Sequence, residues 1–161
     1  MNISVISVGK LKEKYLKAAI NKYTKRLTRY CKLDLIEVQD ESIPENASFK
    51  EEIQIKDKEG ELILKQIKES IYLVALDLKG KMLSSKELAK FISDLDVNEN
   101  GNIAFVIGGS LGLSEKVLNR ANYKLCFSKM TFPHQLMRVI LLEQIYRGFR
   151  IISGDSAKLK L

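Results

Sequence analysis

Apolar residues along the chain follow two rhythms that take turns. Ile3 and Val5 belong to a β-branched alternation that stops at Gly9, which predicts a strand. Leu16, Ile20, Tyr23, Leu27 and Tyr30 then recur at spacings of four, three, four and three. That is one stripe of an amphipathic helix, with Lys and Arg on its other faces. Leu33, Leu35, Ile36 and Val38 predict a second strand, closed by the polar stretch 39–46 with Pro44. Ser48 and Glu51 have capping-box spacing ahead of a charged helix whose apolar positions are Ile53, Leu62, Leu64 and Ile67 and which ends at Ser70. Residues 71–78 are almost continuously apolar, as in a strand covered on both faces.

The alternation continues to the end of the chain. Ser84 and Glu87 form a second capping box before Leu88 and Phe91, and the polar residues 94–101 predict that this helix is short. Residues 103–107 make a fourth buried strand that runs into Gly108-Gly109-Ser110-Leu111-Gly112, after which Ser114 opens a short helix. Tyr123, Leu125 and Phe127 alternate as a fifth strand, and Pro133 stands in the first turn of a last helix reaching about Ile152. Strand and helix alternate throughout, so the expected class is α/β with a mainly parallel sheet and ligands outside the carboxyl ends of its strands. The last helix carries apolar residues from Leu136 to Ile152 on more than one face. One side is expected to pack on the sheet and another on a second copy, giving a homodimer; a wholly internal helix is the alternative.

Composition narrows the function classes. With 161 residues, 45% hydrophobic and 29% charged, the chain suits one globular domain. No apolar run reaches membrane-span length and the N-terminus lacks a basic leader, so the expectation is a cytoplasmic protein with no membrane partner. Cys31 and Cys126 lie in apolar segments without redox or zinc spacing and read as buried thiols. The formal charge is +7, yet residues 10–32 alone carry seven Lys and two Arg against Glu13. That concentration on the first helix favours a phosphate-bearing partner over simple solvation.

Few residues can carry chemistry. The 108–112 loop reads GGxxG at the fourth strand; it lacks the acid of a dinucleotide site and the Lys-Ser/Thr of a phosphate loop, so turn and ligand loop stand level. Residues 127–135 bring polar groups and the only histidine, His134, between a buried strand and a buried helix. A lone His is more often a capping or packing residue than a catalyst, and no ligand set for a metal accompanies it. Glu143, Arg147 and Arg150 share one face of the last helix, either as an ordinary ion pair or as cations awaiting a phosphate or carboxylate.

Taken in order, several segments form a collinear set: Val8-Gly9-Lys10-Leu11-Lys12, Asp57-Lys58-Glu59-Gly60, Leu76-Asp77, Gly80-Lys81, Phe105-Val106-Ile107-Gly108-Gly109, Leu125 with Phe127-Ser128, Thr131-Phe132-Pro133-His134, Arg138-Val139, Glu143-Gln144 and Tyr146-Arg147. Over about residues 1–154 this set resembles the ribosomal large subunit methyltransferase H family (RlmH), small members of the SPOUT superfamily. The resemblance implies a single domain: an N-terminal α/β part over about 1–70 with the basic helix, a cofactor-binding part over about 71–154 with a deep trefoil knot, and a tail at 155–161. It also implies a homodimer, S-adenosyl-L-methionine as methyl donor, no metal, and N3 of a pseudouridine in 23S rRNA of the assembled ribosome as acceptor. By resemblance, Leu76, Gly108, Phe127, Ser128, Lys129, Met130, Thr131 and Phe132 contact the cofactor, and Arg147 is the catalytic residue that holds the RNA or its developing charge. The family ends in Pro-Tyr-His and a basic residue, where this chain ends Gly154-Asp155-Ser156-Ala157-Lys158-Leu159-Lys160-Leu161. The alternative expectation is therefore a ribosome- or RNA-binding relative with weak or no catalysis.

Overall fold

A computed structural model describes residues 1–154. Five strands form one parallel sheet in the order β2-β1-β4-β3-β5: β1 (Asn2–Val8), β2 (Lys32–Val38), β3 (Tyr72–Met82), β4 (Asn102–Ile107) and β5 (Tyr123–Cys126). The helices are α1 (Lys14–Leu27), α2 (Phe49–Lys65), α3 (Ser85–Asn98), α4 (Glu115–Arg120) and α5 (His134–Ile152). Period-two alternation in the strands divides the core into two halves. Ile3, Val5, Val74, Ile103, Phe105 and Ile107 meet residues of α1, α3 and α5 on one face. Ile6, Val8, Leu73, Ala75, Ala104 and Val106 meet Ile63 of α2 and Val117 of α4 on the other. Burial on both faces explains the unbroken apolar runs of the central strands.

The helix starts agree with the sequence reading. Ser48 and Ser84 each accept the N–H of the residue three positions on, at 3.1 Å, and the glutamates there complete both capping boxes. In α1, Leu16, Ile20 and Leu27 are buried and Tyr23 is half-buried, but the helix stops before Tyr30.

Three expectations needed correction. The core contacts of α2 are Ile55 and Ile63, while Ile53 is exposed and Leu62, Leu64 and Ile67 are half-buried at the margin. The face that docks is the i, i+4, i+8 row 55–59–63, and it includes Glu59. Next, α3 is not short: it continues through the polar stretch to Asn98 because Leu95 is buried one turn after Ile92. Finally, β3 runs past residue 78 to Met82 with a register shift between Leu76 and Lys81, so that Leu125 partners both. Gly80 makes the return possible, since a Cβ there would lie 2.6 Å from the Lys124 carbonyl.

Candidate active site

The carboxyl ends of β4, β3 and β5 meet around the 108–112 loop. Gly108 is where β4 breaks: a Cβ on it would sit 2.7 Å from the carbonyl carbon of Gly112, so only glycine lets the loop fold back. Gly112 N–H donates to the Gly109 carbonyl at 3.0 Å, with Gly112 at φ +88°, which closes the turn. Ser114 then caps α4 through the Val117 N–H. Gly60 of α2 packs against Ser114 and Val117, where a Cβ would collide with the Ser114 hydroxyl, so α2 lies close to the start of α4.

This loop is one wall of a cavity of about 600 Å³. Leu76, Asp77 and Leu78 at the β3 bulge form a second wall, and residues 125–134 with Met137 of α5 form the third, Lys129 excepted. Cys126 Sγ donates to the Ser128 carbonyl at 3.1 Å, and Ser128 Oγ accepts the Met130 N–H at 3.0 Å, which fixes the turn into this wall. The lining is mostly apolar around exposed backbone, in the size range of cofactor pockets.

A second cavity, of about 670 Å³, adjoins the first. Its walls are the β1–α1 loop (Gly9, Lys10, Lys12), the end of β2 and the residues after it (Glu37 to Ile43), and Glu59. It shares Gly109, Ser110, Leu111 and His134 with the first cavity. Arg138, only 5% exposed, holds the β1–α1 loop in place. Its guanidinium donates to the carbonyls of Val8 (2.9 Å) and Gly9 (2.8 Å) and pairs with Glu37 at 2.7 Å, and Glu37 also accepts the Leu11 N–H at 2.8 Å.

Two titratable groups on these walls are shifted. Burial lowers the pKa of His134, as does the Arg138 charge, while Asp40 opposes them. Glu59, 6% exposed, is pushed up by burial; the Glu41 N–H that it accepts at 3.0 Å opposes this, and the charges of Asp40 and Glu41 add to it.

Leu76, Gly108, Phe127, Ser128, Met130, Thr131 and Phe132, for which the resemblance implies cofactor contacts, line one cavity together. Lys129 is in the same loop but exposed and outside the lining. Arg147 is ten residues beyond Met137 on α5, about 15 Å along the helix axis. There it pairs with the Glu143 carboxylate at 3.0 Å, and its charge reaches Tyr23 of α1. Sequence reasoning gave no separate role to Glu59, although an acid between Ile55 and Ile63 on one helical row is a readable signal. The second cavity itself was missed, because its walls come from segments 125 residues apart.

A parallel α/β sheet with a glycine-walled apolar cavity at its carboxyl edge defines a cofactor-binding enzyme of the α/β class. The family model described as "Predicted SPOUT methyltransferase" matches residues 1–156. Proteins called ribosomal RNA large subunit methyltransferase H from Clostridium tetani (strain Massachusetts / E88), Clostridium botulinum (strain Alaska E43 / Type E3) and Alkaliphilus oremlandii (strain OhILAs) are 66%, 67% and 69% identical to it. Each alignment spans 155 residues, 96% of this chain and 98% of the relative. The chain belongs to the SPOUT methyltransferase family and is a methyltransferase.

The family implies a donor of the S-adenosylmethionine type, and the 600 Å³ cavity fits one. Its apolar walls suit an adenine ring, and the backbone of the 108–112 loop is uncovered by side chains. Among the described residues, no group of three or more His, Cys, Asp or Glu is arranged to hold a metal ion. No described helix is long and apolar enough to cross a membrane. The atypical ending at residues 155–161 lies outside the described residues.

Proposed function

We propose that this chain transfers a methyl group from S-adenosylmethionine to large-subunit ribosomal RNA, at N3 of a pseudouridine in the assembled ribosome. The observation that carries this is the gathering of seven residues from three separated segments around one cavity, in a chain about two-thirds identical to proteins named for that activity. In this reading Leu76, Gly108, Phe127, Ser128 and residues 130–132 hold the cofactor, whose chemical contribution is an electrophilic methyl group. The chain's own part is to hold donor and acceptor in line and to exclude water between them.

The RNA side of the reading rests on α1 and the turn that follows it. Lys14, Lys17, Lys22, Lys25, Arg26 and Arg29 are all exposed, so the cationic face is available to phosphates. Because Arg147 is distant from the cavity along its own helix, its proposed contact with RNA is to the site of a second copy. The half-exposed apolar residues of α5, Leu136, Val139 and Ile140 among them, support a homodimer that would bring the two together. The knotted path and a cytoplasmic setting beside ribosomes belong to the same reading.

The test is transfer of labelled methyl from S-adenosylmethionine to ribosomes lacking this modification, compared with a variant whose ending is changed to Pro-Tyr-His-Arg. Transfer by the native chain is the expected result. Ribosome binding without transfer by the native chain would favour the non-catalytic relative, and absence of both would defeat the reading.

A further inference from the structure

We infer that Glu59 of α2 is a positioning residue for the methyl donor: its carboxylate braces the glycine loop from behind, through Gly109, and holds it in the form that receives S-adenosylmethionine. The inference rests on the donor half of the proposed function and adds to it a residue outside the donor cavity.

Glu59 lines the second cavity and not the first. Its two carboxylate oxygens would lie 3.4 and 3.6 Å from a Cβ on Gly109, and the Val8 side chain would lie 3.2 Å from the same point. Gly109 is therefore seated between the end of β1 and the Glu59 carboxylate. Its position is passed along the turn, because the Gly109 carbonyl accepts the Gly112 N–H at 3.0 Å and Gly108 folds against the Gly112 backbone. All three glycines line the donor cavity. The next residue of α2, Gly60, brings the helix against Ser114 just beyond the loop, so residues 59 and 60 support both of its ends.

Position 59 is an unfavourable place for a carboxylate. It is 6% exposed on the row between Ile55 and Ile63, and burial pushes its pKa up. A leucine there would continue the apolar row at lower cost. What leucine cannot do is accept the Glu41 N–H, as Glu59 does at 3.0 Å. That bond ties the segment after β2 to α2 and fixes the carboxylate where it meets Gly109. Both contacts depend on an acceptor oxygen at the end of a side chain of this length, so glutamine can make them without the charge. A buried polar group that the fold would be better without, set against a ligand loop, marks a residue that supports the site.

The experiment compares the parent with Glu59→Leu and Glu59→Gln, using calorimetry for S-adenosylmethionine without ribosomes, initial rates with donor and ribosomes varied separately, and urea unfolding. In Glu59→Leu, donor affinity should fall about tenfold or more and the KM for donor rise to match, while kcat at saturating donor and the KM for ribosomes stay within about twofold of the parent. Its urea midpoint should equal or exceed the parent's, which separates positioning from loss of fold. Glu59→Gln should bind donor as the parent does. Parent-like donor affinity in Glu59→Leu, an equal loss in Glu59→Gln, or a fall in kcat with donor affinity unchanged would each overturn the inference. Should Glu59→Leu fail to fold, the parent alone still decides it. Coupling between two sites is reciprocal, so saturating donor should slow hydrogen exchange of the Glu41 amide more than that of the Lys32 amide, which is bonded to Met1 at the opposite end of the sheet; equal slowing would refute the brace. A parent that binds donor but transfers nothing to ribosomes defeats the proposed function and leaves the donor measurements to decide this inference, whereas a parent that binds no donor defeats both.

Discussion

A single methyl group on Gly108 would press into the backbone of Gly112, which makes Gly108→Ala the smallest change that opens the glycine loop. The expected outcome is at least a tenfold weaker calorimetric affinity for S-adenosylmethionine, equivalent to about 1.4 kcal/mol, and Gly108→Val should weaken it further. Arg138 is a different kind of residue, holding a loop rather than shaping a surface. Arg138→Met strips the Val8 and Gly9 carbonyls of a charged donor in a buried place and should destabilise the fold by about 3 kcal/mol. A lower urea midpoint with an unchanged slope would show it. Two groups, the buried Cys31 and the half-buried His134, make stability depend on pH with opposite signs. Burial pushes the Cys31 thiol up to about 11 from 9.0, so the unfolded chain ionises first and stability falls as pH rises from 9 to 11. His134 has the opposite sign: its lowered pKa means that the unfolded chain takes up the proton first, and stability is lost as pH drops below 6.5. Melting temperatures across pH, with Cys31→Ala and His134→Asn each flattening one limb, are the check.

At the level of elements, each capping box is worth a measurable amount. Ser48→Ala and Ser84→Ala should each cost about 1 kcal/mol, the second also loosening α3, against which α5 packs. Reversing Lys22 and Lys25 on the exposed face of α1, and Arg29 just after it, to Glu should weaken ribosome binding and flatten its salt dependence, read from association constants over a salt series. The same elements show how far the sequence could be read. Strand and helix order, the two capping boxes and the α1 stripe were legible, because each depends on neighbours within a turn or a strand. The docking face of α2 was misread, since Ile53, Ile55, Leu62, Ile63 and Leu64 offer more than one apolar row, and only the close approach allowed by Gly60 selects the row with Glu59. The β3 bulge was not legible either, because the register shift depends on Gly80 meeting β5 some 44 residues away.

The whole molecule places its latest elements beside its earliest. β4 lies between β1 and β3, and α5 packs between α1 and α3, so the sheet is not complete until β5 is in place and the layer above it not until α5 is. If α5 also forms the homodimer face, sedimentation should show a dimer that Ile140→Glu disperses, with the sheet retained by circular dichroism. The Arg138 clamp carries this order into biosynthesis. The carbonyls of Val8 and Gly9 are made about 130 residues before their donor. A nascent chain can pair β1 with β2 early, but the loop between β1 and α1 stays unclamped until Arg138 of α5 has been made. The wall that this loop gives to the second cavity is therefore finished only once α5 has been made, and shorter products carrying the basic helix would lack it.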